Sequence, residues 1–261
     1  MTAYRYDGTF AGFLSCVWEA LEEKTEPAAF LLPGDSPTLW EEREPPSSQE
    51  RARRLYGALA KRVSPAFQKL IARGFLTCLP EKELALFTLI RRGLAEGDRV
   101  RRDLGDPVVA RVNLALTKMW TEWDHLKGFV RFSELEGVLV GEIEPKNRVL
   151  PLLAPHFAAR YSGERLVLYD RTHREAFVCE RGRWRLIPAE DFRMGPAGGE
   201  ERAYRALWRR YFETIAIEGR RNPKCQSTHL PKRYRHVMTE FVTDEARERG
   251  GARELPGKQG R

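Results

Sequence analysis

Cysteine is scarce, with four in 261 residues at positions 16, 78, 179 and 225. No two of them share Cys-x-x-Cys spacing, so neither a zinc knuckle nor an iron–sulfur cluster is written into a local motif. Reduced, packed thiols are the expectation. Long apolar runs are missing as well. No stretch approaches the roughly 18 residues of a membrane span, and no membrane association is expected. The opening MTAYRYDGTF lacks the basic and apolar regions of a secretory signal, which points to the cytoplasm. The glycine patterns of P-loops and dinucleotide folds are absent. Five histidines and scattered acids offer no ligand spacing, so no metal or other cofactor is expected.

What is present is an uneven distribution of charge. The net charge is +8, but residues 1–50 carry ten acids against three bases. Residues 202–236 reverse this, with ten bases against two acids. The densest stretch is RRNPKCQSTHLPKRYRHV, residues 220–237, with six Arg or Lys and no acid. Such asymmetry points to a polyanion partner for the basic part. The alternative is neutralisation within the chain, with the acidic first fifty residues as the partner.

Periodicity predicts an α+β fold: a helical N-terminal part, a central antiparallel sheet of about five strands with one crossing helix, and C-terminal basic helices. Phe10, Phe13, Leu14, Val17, Trp18 and Leu21 form a helical stripe after a short strand at Tyr4–Tyr6. Ser64-Pro65 and Asp106-Pro107 are helix starts, and Pro80 opens another. FVRF and VLVGEI read as a hairpin across SELEG; LVLYD, EAFVCE and RWRLIP read as three more strands, after a helix at 151–161. In helix 200–218, Tyr204, Leu207, Trp208, Tyr211, Phe212 and Ile215 share a face expected to dock, leaving Arg202, Arg205 and Arg209 outside. The implied organisation is 1–127 mainly helical, 128–242 sheet plus basic helices, and 243–261 a frayed tail.

Five strings in order, YDGTF (6–10), HLKGFVRF (125–132), PHFAARY (155–161), LYDRTHR (168–174) and RNPKCQ with PKRY (221–226 and 231–234), resemble the bacterial "probable DNA metabolism protein" family. Its shared domain is of unknown function and also occurs fused to uracil-DNA-glycosylase-like proteins. The resemblance implies DNA as a partner, and a radical-SAM repair or modification protein encoded alongside. Cys225 departs from the motif, which commonly has Leu there. The glycosylase loops and the radical-SAM cysteine triplet are absent, so the latter chemistry belongs to a partner chain.

Two groups of side chains carry candidate chemistry. His156 and Asp170 form a general acid–base pair if they meet, with Arg131 and His125 near the same centre. The structural alternatives are a packed imidazole and an Arg–carboxylate pair. The second group is a nucleic-acid surface of Arg202, Arg205, Arg209, Arg221, Asn222, Lys224, Gln226, His229, Lys232, Arg233 and Tyr234. Here the cations hold phosphates, Asn222, Gln226 and His229 reach base edges or sugars, and Tyr234 stacks on an unpaired base. Three functions stay open: a DNA-binding accessory protein, a DNA-processing enzyme (lyase, glycosylase or nuclease), or a protein-interaction adaptor using the acidic start. Oligomeric state is left open.

Overall fold

Tyr4, fully buried, lies in strand β1 (Thr2–Arg5), the middle of a three-stranded parallel sheet. Its neighbours are β2 (Pro27–Leu31) and β3 (Glu41–Arg43). The computed structural model describes residues 1–190, 192, 198–214 and 222–241, apart from the side chains at 212, 213, 223, 225 and 226. The expected tail at 243–261 lies outside them. The chain divides into two compact units, Met1–Trp120 and Thr121–Arg261.

In the first unit, helices α1 (Phe10–Glu22), α2 (Gln49–Arg62), α3 (Pro65–Phe75) and α4 (Lys82–Glu96) share a core with the sheet. Side-chain caps open three of these helices, including the expected start at Ser64-Pro65. Thr9, Ser48 and Ser64 each accept a backbone N–H three residues on, and Pro65 occupies the first turn of α3. Asp106 accepts from the amides of Val108 and Val109 at the start of α5 (Pro107–Phe129). Strand β3 has an acidic sequence with no apolar alternation to mark it as a strand. Glu19, Glu23, Glu26 and Glu42 of the acidic start pair with Arg51, Arg43, Arg91 and Arg5 of the same unit.

The second unit is built on a five-stranded sheet in the order β4 (Phe132–Leu135), β5 (Val138–Ile143), β6 (Arg165–Asp170), β7 (Glu175–Glu180), β8 (Arg183–Pro188). It is mixed rather than wholly antiparallel: β5 and β6 run parallel. Helix α6 (Leu150–Arg160) links them, and a crossover of this kind returns the chain in the same direction. The other pairs are antiparallel. Two hairpins turn at Glu136-Gly137 and Arg181-Gly182, with both central residues at positive φ, the geometry that matches strand twist.

FVRF departs from expectation. Phe129 ends α5, and Val130 continues its ladder by donating to the Leu126 carbonyl. Phe132 is therefore the first strand residue, lying over Gly141, where an added Cβ would sit 2.9 Å from its ring. From the opposite side Phe157 and Tyr161 pack on the same ring, at 5.4 and 5.3 Å between centroids. Beyond the sheet come α7 (Gly199–Thr214), the short α8 (Pro223–His229) and a 3-10 turn at Lys232–Val237.

Candidate functional site

The basic segment at 222–241 is held by acids of its own unit. Glu122, on α5, is 1% exposed and receives four donors, two at each oxygen. Lys146 N and Arg233 Nη2 reach Oε1, both at 3.0 Å, while Asn147 N and Nδ2 reach Oε2 at 2.8 and 2.7 Å. Arg131 grips Glu240 through two bonds of 2.7 and 3.2 Å and is itself fixed by donating to the Gly128 carbonyl. His236 bonds Glu144 at 2.6 Å. Neutralisation within the chain is thus real for Arg233, with its partner in the second unit.

Tyr234 is corrected outright. Its ring is 1% exposed and packs on Phe129 and His125 at 5.4 and 5.9 Å, leaving no face for a base. Burial pushes its hydroxyl pKa up. The strings HLKGFVRF and PKRY therefore meet in space, through Tyr234 packed on His125 and Phe129. The partner acids, Glu122 and Glu240, lie outside those strings.

The His156–Asp170 pair does not form. Asp170, fully buried, accepts from the backbone amides of Thr172 and His173 and bonds His173 Nδ1 at 2.7 Å. Burial pushes its carboxyl pKa up against these bonds. His156 sits edge-on to Phe157, its Nε2 buried without a hydrogen-bond partner among the described residues, and burial together with Lys127 and Arg160 lowers its pKa. His125 Nδ1 is likewise buried without a hydrogen-bond partner among the described residues. No hydrogen bond joins any two of His125, Arg131, His156 and Asp170 among the described residues. His173 is the residue that sequence reasoning missed; the signal was the Asp-x-x-His spacing in the turn, where a carboxylate reaches back only to its own loop. Next to it Arg148 clamps the buried Glu175 through Nε and Nη2, the latter at 2.6 Å.

Helix α7 departs from expectation at Arg205 and at four residues of its apolar face, while Arg202 is exposed as expected and the Phe212 side chain and Ile215 lie outside the described residues. Arg205, expected outside, is 6% exposed and donates to Glu201 at 2.7 Å and to Ser133 Oγ at 2.6 Å. Glu201 in turn accepts the backbone N–H of Glu134, on the edge strand β4, at 3.1 Å. An edge strand leaves such groups open, and a charged pair that satisfies them outcompetes an apolar contact for that side of the helix. The aromatic side faces out: Tyr204, Leu207, Trp208 and Tyr211 are all exposed. Trp208 stacks on Tyr211 at 5.6 Å, and the Arg131 guanidinium lies 5.8 Å from the Trp208 ring.

The profile of a domain of unknown function, DUF4130, matches residues 80–240, more than half of the chain. The chain belongs to the DUF4130 family. No curated protein matches it. The DUF4130 region takes in every described element of the second unit. Of its expected nucleic-acid residues, Arg202, Asn222, Lys224, His229 and Lys232 are exposed, as is Arg210, while Arg209 is half-buried. Arg221 and the Gln226 side chain lie outside the described residues. No group of three metal-ligating side chains occurs among the described residues.

Proposed function

We propose that this DUF4130 protein is a DNA-binding accessory of a repair or modification system, working beside a radical-SAM enzyme. The observation that carries the reading is what remains after internal pairing. Arg202, Arg210, Lys224 and Lys232 stay exposed and in no ion pair among the described residues, while Glu122, Glu144, Glu201 and Glu240 are each engaged. Cations left open while neighbouring acids are occupied favour a phosphate backbone as the missing counter-charge. The radical-SAM partner rests on the family resemblance alone.

Fluorescence anisotropy with labelled duplex and single-strand DNA tests the binding. Replacing Arg202, Lys224 and Lys232 with Ala is expected to weaken binding at least about tenfold at moderate salt. Unchanged affinity removes the reading. The enzyme reading keeps one specific support, the imidazole of His173 oriented by buried Asp170, as a general base requires. Its test is turnover of damaged DNA by the His173→Ala variant against the unaltered protein.

A further inference from the structure

We propose that a cleft of the first unit binds a mononucleotide, with its phosphate on Lys69 and Arg73 and its base against Trp120. These residues are separate from the proposed DNA surface, so the assignment does not rest on the DNA-binding reading. The cleft has a volume of about 600 Å³, within the roughly 300–1,000 Å³ usual for small-molecule sites. Its wall comes from α3, from α5 and from a 3-10 turn at Asp98–Arg102.

Helix α3 carries no acid, and Lys69 and Arg73 lie four apart on it, so two like charges share one side. That arrangement disfavours the helix unless an anion lies across both. Both side chains are exposed, and neither forms an ion pair among the described residues. The one acid lining the cleft among those residues, Asp98, is already committed. It takes Nε and Nη2 of Arg101 at 3.2 and 3.0 Å and the hydroxyl of Ser64. The charge left over is therefore positive and belongs to Lys69 and Arg73.

Arg73 is also oriented. Its guanidinium lies over the Trp120 ring, 5.0 Å from the centroid, a contact that leaves its N–H groups for an anion. Trp120, Leu116 and Leu70 make the apolar part of the wall. A bare phosphate would leave that part uncovered, and an acyl chain would meet the cations along its length. A planar base joined to a phosphate matches both parts. A free nucleotide and a phosphorylated strand end share this chemistry.

The test is isothermal titration of the full chain with dAMP, deoxyadenosine and deoxyribose 5-phosphate. Binding of dAMP is expected, and loss of either its phosphate or its base should weaken it at least about tenfold. Lys69→Gln with Arg73→Gln should also cost at least about tenfold on dAMP. Arg53→Gln with Arg54→Gln, exposed on α2 away from the cleft lining, should change it by less than about twofold. Circular dichroism confirms that each variant is folded, and Lys69→Gln alone replaces its pair if the pair is not. Displacement of dAMP by a 5′-phosphorylated oligonucleotide but not by its unphosphorylated form assigns the cleft to a strand end. Displacement by neither assigns it to a free nucleotide, and equal displacement by both overturns the proposal. So does absence of dAMP binding, dAMP affinity untouched by Lys69→Gln with Arg73→Gln, or deoxyribose 5-phosphate binding as tightly as dAMP.

Discussion

Arg233 reaches the buried carboxylate of Glu122 at 3.0 Å, joining the 3-10 turn near the end of the second unit to the helix at its start. The two partners are not equivalent. Glu122 is fully enclosed, with two backbone amides and the Asn147 side chain depending on it, whereas the Arg233 side chain is 41% exposed. Glu122→Ala should therefore cost about 3–5 kcal/mol, as for a broken buried pair that also strands hydrogen-bond donors. Arg233→Ala should cost about 1–2 kcal/mol, because three amide donors still serve the carboxylate. Urea unfolding of the two variants checks the order; equal costs would refute it.

Arg205→Ala should destabilise by about 1.5–3 kcal/mol, since Arg205 carries charged hydrogen bonds in a buried setting. Tyr204→Ala, on the exposed side of the same helix, should stay within about 0.5 kcal/mol of the unaltered protein. The contrast, read from denaturant midpoints, checks which side of α7 is docked.

His156 makes stability depend on pH. Its pKa in the folded chain lies below the ordinary 6.5, through burial and the Lys127 and Arg160 charges. Between the two values the unfolded chain binds more protons, so the contribution of His156 to stability is full above 6.5 and declines as pH falls toward the folded value. His156→Leu should flatten this part of the stability–pH profile. A slope unchanged by the substitution would contradict the assignment.

In the first unit, Gly93 of α4 lies under the Phe67 ring, and an added Cβ would stand 2.5 Å from Cζ. Gly93→Ala gains helix propensity of about 1 kcal/mol. The overpacking of a buried ring costs about 1–3 kcal/mol. The net is expected to be destabilising, because Phe67 is fully buried and has no room to retreat. Thermal unfolding decides the sign.

These contacts show what could be read from the residues alone. Helix starts were legible at Ser64 and Asp106 because caps act over three residues of chain, and the β6–β7–β8 meander because its turns are local. The parallel β5–β6 pair was not read, since relative strand direction depends on where α6 returns the chain. The orientation of α7 failed for a related reason. Amphipathicity ranks its aromatic face as the buried one, but the open amide of Glu134 on a distant edge strand decides the contest. Tyr234 was assigned to a ligand because its neighbours are basic, yet the acid and rings that enclose it come from α5. Arg202, Lys224 and Lys232 were named from charge density and His229 for base or sugar contacts, and all four are exposed.

The salt dependence of binding to a labelled single strand tests the central claim most directly. For single strands the log–log slope is about −0.7 per phosphate neutralised, so four cations at Arg202, Arg210, Lys224 and Lys232 predict a slope of about −3. Replacing all four with Ala should bring it close to zero. A flat slope for the unaltered protein, or the same steep slope in the variant, would contradict a phosphate-holding surface on these residues.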